Sequence, residues 1–234
     1  MSLSNIAEQL SYLHLNTLEV KHYEIQSRQS IFSVYEFLAA FIGLNVIFLI
    51  TCLPIFTIGP ALTALYTVTL KEARKEGGYI FSTYFKAFKE NFRQSAAAFL
   101  IQLVLALVFL FNAHFWGEQN TVLGNALMFV MTALLVVLAL TFMYCYPLMA
   151  RFDNTLTQSM KNAFFVAITH PKFTLGLAGI LAVYLFFCFG FSDFAKVFMI
   201  LLGFSFLAYC NSMLLMKVFQ DYEEEPVECI LEKE

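Results

Sequence analysis

The stretch CLPIFTIGPALTALYTVTL, residues 52–70, decides the fold, because it places two prolines and a glycine inside a long apolar run. Residues 37–70 carry no charged side chain over 34 positions, which as one helix would measure about 51 Å. That is too long for one crossing of about 30 Å of hydrocarbon and short for two. Pro54 removes a backbone donor and disturbs the preceding turn. We therefore predict a broken first hairpin, with a crossing helix from about Ser33 to Leu53 and a shorter return from about Ile55 to Lys71.

The composition of the whole chain is that of a membrane protein. Of its 234 residues 60% are hydrophobic and 13% are charged, and the mean hydropathy is +0.72, well outside the range of soluble domains. Four further charge-free runs are each long enough to cross a bilayer. They are Gln94 to Gly117, Gln119 to Ala150, Phe173 to Ser192 and Val197 to Met216. The predicted fold class is all-α, a polytopic helical membrane bundle of five to six transmembrane helices.

Basic residues in the loops predict the topology, because Lys and Arg concentrate on the cytoplasmic side. The segment from Lys71 to Arg93 holds the densest basic stretch, so we expect it to be cytoplasmic. Six crossings, which Lys21 and Arg28 favour, then place residues 1–30 in the cytoplasm, as a segment preceding a membrane domain of residues 31–219. Five crossings, with a re-entrant second segment, place the N-terminus outside. In both cases the acidic tail, residues 220–234, is cytoplasmic.

Two segments between the crossings predict amphipathic cytoplasmic helices. In YIFSTYFKAFKENFRQS, residues 79–95, aromatic residues recur at helical spacing with basic residues interleaved. This helix either lies along the inner leaflet against anionic lipid or packs on a neighbour as an extension of the next crossing. Residues 152–173 form a second, less regular candidate.

Motifs for catalysis, for metal binding and for cofactors are lacking from the sequence. It contains no P-loop, GxSxG, HExxH or Gly-rich dinucleotide turn, and its four histidines are scattered. Four of the five cysteines lie in apolar runs, and none of the five is in a CxxC or metal-finger spacing, so we interpret those four as small buried side chains. The net charge of −3 provides no basic field for nucleic acid. We predict a protein that is not an enzyme and has no catalytic, cofactor-binding or metal-binding residues.

Polar groups at membrane depth are the candidate functional or structural residues. Asn45 lies near mid-membrane and is predicted mainly to hydrogen-bond another helix, with ligand binding as the alternative. Tyr66 lies beside the break, and Asn211 is a candidate for joining helices late in the bundle. Glu36 is a weaker candidate, because it lies near a helix end from which it could reach the interface. Arg151 lies at a cytoplasmic helix end, where headgroup anchoring is the simplest role.

The break itself supplies four more candidates. Pro54 is predicted to end the first helix near the outer face, and Gly59 to give the chain conformational latitude. Pro60 has its φ angle preset for the start of the next helix, and Thr57 is placed to cap that helix through its hydroxyl. A structural hairpin and a small-molecule site both remain open here.

Three motifs in this order resemble one family. They are Asn45 followed by CLPIFTIGPALTALY (52–66), EGGYIFSTYFKAFKENFRQS (76–95) and YPLMARF (146–152). The sequence is similar to the YesL-like proteins, bacterial integral membrane proteins described by a domain of unknown function. The resemblance implies a location in the bacterial cell membrane and a role accessory to carbohydrate uptake or its regulation. Its implied partners are a carbohydrate ABC transporter permease or a membrane sensor, and it carries over no site residues.

Three functions follow as alternatives. The first is a non-enzymatic protein that assists or regulates carbohydrate uptake. The second is a small solute transporter or channel that uses the broken hairpin as its substrate site. The third is a membrane scaffold that binds anionic lipid through residues 79–95. The sequence leaves the homo-oligomeric state open.

Overall fold

The computed structural model describes residues 35–223 except 77, 120, 153, 191 and 192, and the described chain is helical throughout apart from its turns. The helices are α1 (Tyr35–Thr51), α2 (Ile58–Ala73), α3 (Ile80–Glu90), α4 (Phe92–Glu118), α5 (Val122–Arg151), α6 (Leu156–Thr169), α7 (Pro171–Gly190) and α8 (Asp193–Glu223), with a 3-10 turn at Ile55–Thr57. Side chains of α8 are described over residues 202–220. The predicted N-terminal segment, residues 1–30, and positions 224–234 of the predicted acidic tail lie outside the described residues.

Four helices within the described part of the chain are long and apolar enough to cross a membrane. They are Phe92–Glu118, Val122–Arg151, Pro171–Gly190 and, within α8, Leu202–Gln220. They match the four charge-free runs predicted from sequence, and the all-helical membrane class is confirmed. The first apolar region is different, because α2 has 16 residues and the described part of α1 has 17, Tyr35–Thr51, fewer than any of these four spans.

The chain divides into two compact units after Ile42, so α1 begins in the first unit and continues into the second. Within the second unit α2 is central, because it packs against α3, α4, α5 and α8. One buried cluster joins the second half of α1 to α2 and α3, through residues such as Phe48, Leu65 and Tyr84. A second cluster joins α4, α5, α6 and α8.

The predicted amphipathic segments are both helices. In α3 the side chains of Tyr84 and Ala87 are buried, while Lys86 and Lys89 are exposed. Since α3 packs along α2 and is separated from α4 by Asn91, it is a distinct helix packed on a neighbour. The helix α6 buries Ser159, Ala163, Val166 and Ala167 at helical spacing against α5.

Contacts at both ends of the α4–α5 hairpin show how the two helices are aligned along their length. At its far end the Thr121 hydroxyl accepts a hydrogen bond from the Gly124 N–H at 3.0 Å and caps α5. At the other end Gln94 Nε2 donates to the Asn154 carbonyl at 2.6 Å, and the Tyr146 hydroxyl donates to Gln102 Oε1 at 2.8 Å. The start of α4 therefore lies level with the end of α5.

Candidate functional site

The break between α1 and α2 is a compact turn closed by one hydroxyl. Thr57 is buried, and its Oγ1 lies 2.6 Å from both the Thr51 and the Pro54 carbonyl oxygens. The hydroxyl donates back across the turn, so the predicted capping bond is wrong, and α2 has no side-chain cap at Thr57. The physical reason is local: the Thr51 carbonyl at the end of α1 is one of the carbonyls that a helix end leaves in need of a partner, and the Thr57 hydroxyl donates to it.

The two prolines lie at positions where a missing backbone N–H group removes no hydrogen bond within a helix. The helix α1 ends at Thr51, and the Cys52 N–H still bonds to the Phe48 carbonyl at 2.9 Å. Pro54 follows two residues after that bond, in the turn. Pro60 is the third residue of α2, within the first turn, where backbone N–H groups have no intrahelical acceptor. Both positions agree with a break that separates two helices.

Gly59 is needed for a close helix–helix contact. It is buried in the first turn of α2, where a Cβ would lie 2.2 Å from the Ser95 carbonyl oxygen and 2.9 Å from the Phe99 Cβ on α4. The predicted role in conformational latitude is therefore wrong, since the residue is helical. Nearby, the Thr63 and Ser95 hydroxyls share a hydrogen bond of 2.8 Å. A glycine and two small hydroxyl residues thus bring the backbones of α2 and α4 together.

Asn45 joins α1 to α8. Its side chain is completely buried, and its Oδ1 accepts hydrogen bonds from the Ser205 N–H at 3.1 Å and from the Ser205 hydroxyl at 3.4 Å. This is the helix-to-helix bond that the sequence predicted as the main role of Asn45. The partner was not predicted, because Ser205 lies 160 positions away in the sequence.

Tyr66 and its neighbours join α2 to the same helix. Asn211 Nδ2 donates to the Tyr66 hydroxyl at 3.3 Å, and the Thr69 and Ser212 hydroxyls share a bond of 2.8 Å. The predicted role of Asn211 in joining helices agrees with this contact. Sequence reasoning missed Ser205 and Ser212, although their spacing of seven residues on α8 could have marked them as one helix face.

The turn of the broken hairpin lies near the start of α4. Ser95, the fourth residue of α4, contacts Gly59, and the 3-10 turn also packs on α4. From Ser95 to Glu118 the helix rises about 35 Å, which is a full hydrocarbon thickness. The Tyr84 and Thr51 hydroxyls, moreover, lie 2.6 Å apart, so the end of α1 touches the basic segment. The turn therefore lies beside the basic segment, whereas the predicted hairpin puts Pro54 at the opposite face.

The two remaining candidates, Arg151 and Glu36, lie on α5 and α1. Arg151 is half-buried at the end of α5 and lines a cavity of about 100 Å³ together with Arg74. Glu36 is exposed on α1. The described residues contain no group of three or more His, Cys, Asp or Glu side chains able to hold a metal ion. The described polar groups of the break form hydrogen bonds within the protein. Asn45 and Tyr66 join helices, and Thr57 closes the turn.

Comparison with known proteins finds one family and one relative that this chain resembles. The profile of a family described as "Protein of unknown function, DUF624" matches residues 41–113, which include the end of α1, the break, α2, α3 and most of α4. The sequence is also 27% identical over 147 residues to the uncharacterized protein YesL of Bacillus subtilis (strain 168), covering 60% of this chain and 68% of that protein. No solved structure gives a significant match. These matches confirm the resemblance carried by the three motifs, and the chain is similar to the YesL-like proteins of unknown function.

Proposed function

We propose that this protein is a non-enzymatic component of the bacterial cytoplasmic membrane that assists or regulates carbohydrate uptake by docking to a transporter permease or a membrane sensor. The carbohydrate link rests on the family resemblance. The docking mode rests on how the helices use their polar groups and on which surfaces they leave exposed.

The observation that carries the proposal is that the polar side chains at the break are used in bonds within the protein. Asn45 bonds Ser205, Tyr66 bonds Asn211, and Thr57 bonds the carbonyls of its own turn. A transporter site built on interrupted helices instead presents such groups to a substrate. The geometry therefore favours a packed structural hairpin over the solute-transporter alternative.

The exposed faces of α4 and α5 are the surface that we assign to docking. Phe111 and Phe129 are 71% and 74% exposed, and the rings of Phe111 and Phe115 stack at 6.4 Å between centroids. These residues lie on the part of the hairpin remote from the first residues of α4. A second transmembrane protein can pack there through shape alone.

Site-specific photocrosslinking tests the docking proposal at native expression. A photoreactive amino acid at Phe111 or Phe129 is expected to capture a carbohydrate permease or sensor subunit, whereas the same group at the buried Tyr84 should not. Deletion of the protein should change sugar uptake or its induction. The proposal is wrong if the only crosslinks are to lipid and to the protein itself, and if deletion leaves both sugar uptake and its induction unchanged.

We further propose five crossings, with α2 as a re-entrant segment. The support is the position of the turn beside Ser95 at the start of α4. If α4 starts in the cytoplasm, the turn lies in the inner half of the bilayer, and α2 cannot run from the outer face. The N-terminus is then external and the C-terminus cytoplasmic, in contrast to the six-crossing prediction.

Cysteine accessibility distinguishes the two topologies. In a cysteine-free background we expect an impermeant thiol reagent added to intact cells to label Gln26→Cys and Glu118→Cys but not Lys89→Cys. Phe56→Cys, in the turn and half exposed in the fold, should resist external labelling. Six crossings require the reverse for two sites, with Phe56→Cys labelled from outside and Gln26→Cys protected.

A further inference from the structure

Three helices bring their later turns together around a small cavity. The cavity has a volume of about 100 Å³ and is lined by Leu70, Arg74, Arg151, Met216, Phe219 and Gln220. Arg74 directly follows α2, Arg151 is the last residue of α5, and Gln220 lies near the end of α8. Two arginines from separate parts of the chain thus line one partly open cavity.

Arg74 is held in place by two contacts. Its Nε donates to the Leu70 carbonyl at 3.3 Å, and its Nη1 lies 3.1 Å from Glu76 Oε1. The side chain is only 20% exposed. A guanidinium carries five N–H donors in a rigid fork, so these contacts orient the group and leave donors for a further acceptor.

The described charged side chains near the cavity are mostly basic. Lys71 and Lys217 are exposed near the C-terminal ends of α2 and α8. These two lysines add to the positive charge of the two arginines. Among the described side chains in this region the acids are Glu72 and Glu76. Like charges that share a site repel each other, and a bound anion relieves that repulsion. Helix C-termini also attract cations. Arg74 makes such a contact through its hydrogen bond to the Leu70 carbonyl.

We propose that Arg74 and Arg151 form a binding site for a phosphate oxyanion. The cavity volume is roughly that of three liquid water molecules, enough for one phosphoryl group with its substituent directed out of the opening. Arginine forks match the oxygen geometry of phosphate. The oxyanion is supplied either by an anionic phospholipid headgroup at the membrane interface or by a soluble phosphate. The site does not depend on the proposed role in carbohydrate uptake.

Lipid retention tests the membrane source. The full-length protein is released from vesicles of phosphatidylglycerol and phosphatidylcholine in equal parts, and native mass spectrometry identifies the lipid that stays bound. We expect phosphatidylglycerol to be retained preferentially, and Arg151→Gln to lower its retention roughly tenfold through lost charge-assisted hydrogen bonds. Arg93→Gln removes the same charge from an exposed arginine of α4 and should leave retention unchanged.

Inorganic phosphate tests the soluble source. In vesicles of phosphatidylcholine alone, phosphate is expected to raise the thermal unfolding midpoint above that in chloride at equal ionic strength, and Arg151→Gln to abolish the rise. Arg151→Lys keeps a cation at the helix end but loses the fork, so it should bind several-fold more weakly even if the Gln variant does not fold. The proposal is overturned if Arg151→Lys behaves as wild type, if Arg93→Gln matches Arg151→Gln, or if neither probe responds to Arg151.

Discussion

Replacing Gly59 with alanine is expected to destabilise the protein by about 3 kcal/mol, near the upper end of the cost of overpacking. The added Cβ would lie 2.2 Å from the Ser95 carbonyl oxygen, and a backbone atom of a long helix cannot swing aside as a side chain can. The contact also positions the Thr63–Ser95 hydrogen bond of 2.8 Å, which would lengthen as the helices separate. The free energy of unfolding, measured by titration of the purified protein from mild detergent into a denaturing detergent, reports the loss.

Gly179 provides the matched control for this substitution. It is also a helical glycine, in α7, but a Cβ there meets no atom within 4 Å. Alanine favours a helix over glycine by about 1 kcal/mol, so Gly179→Ala should be neutral or slightly stabilising. Equal stability of Gly59→Ala and Gly179→Ala would show that α2 and α4 do not approach as closely as described.

The contrast between these glycines shows what the sequence could predict. The four long helices follow from charge-free length alone, and α3 and α6 follow from helical periodicity, because both signals are local. The role of Gly59 depends on Ser95, which reaches it only through the turn after α2 and the whole of α3. The prolines and the glycine of residues 52–70 correctly predicted a break. The glycine, however, is required by a close contact with α4, which the local sequence does not show.

The same limit explains the interhelix bonds and the position of the break. Asn45 was identified as a polar group in need of a partner, because an unpaired amide in hydrocarbon is costly. Which helix provides the partner is decided by the packing of α8, far along the chain. Loop charges predicted a cytoplasmic position for the basic segment, but they could not show that the Tyr84 hydroxyl, within that segment, lies 2.6 Å from the Thr51 hydroxyl. That contact puts the turn beside the basic segment, not opposite it.

Replacing Asn45 with alanine is expected to cost about 2 kcal/mol of unfolding free energy. The amide is completely buried, and it accepts from both the N–H and the hydroxyl of Ser205. Hydrogen bonds between membrane helices contribute roughly 0.6–2 kcal/mol, and a small cavity adds to the loss. Asn125→Ala, at an exposed position in α5, is the control and should change stability by less than about 0.5 kcal/mol.

A double-mutant cycle with Ser205→Ala separates the two bonds that Asn45 accepts. Serine-to-alanine removes only the hydroxyl donor, at 3.4 Å, and keeps the backbone N–H at 3.1 Å. The coupling between the two substitutions should therefore be about 0.5 kcal/mol, well below the full cost of Asn45→Ala. A large cost for Asn45→Ala with this small coupling identifies the α8 backbone as the main partner. Retained stability in Asn45→Ala would instead exclude a structural bond and make Asn45 available to a ligand.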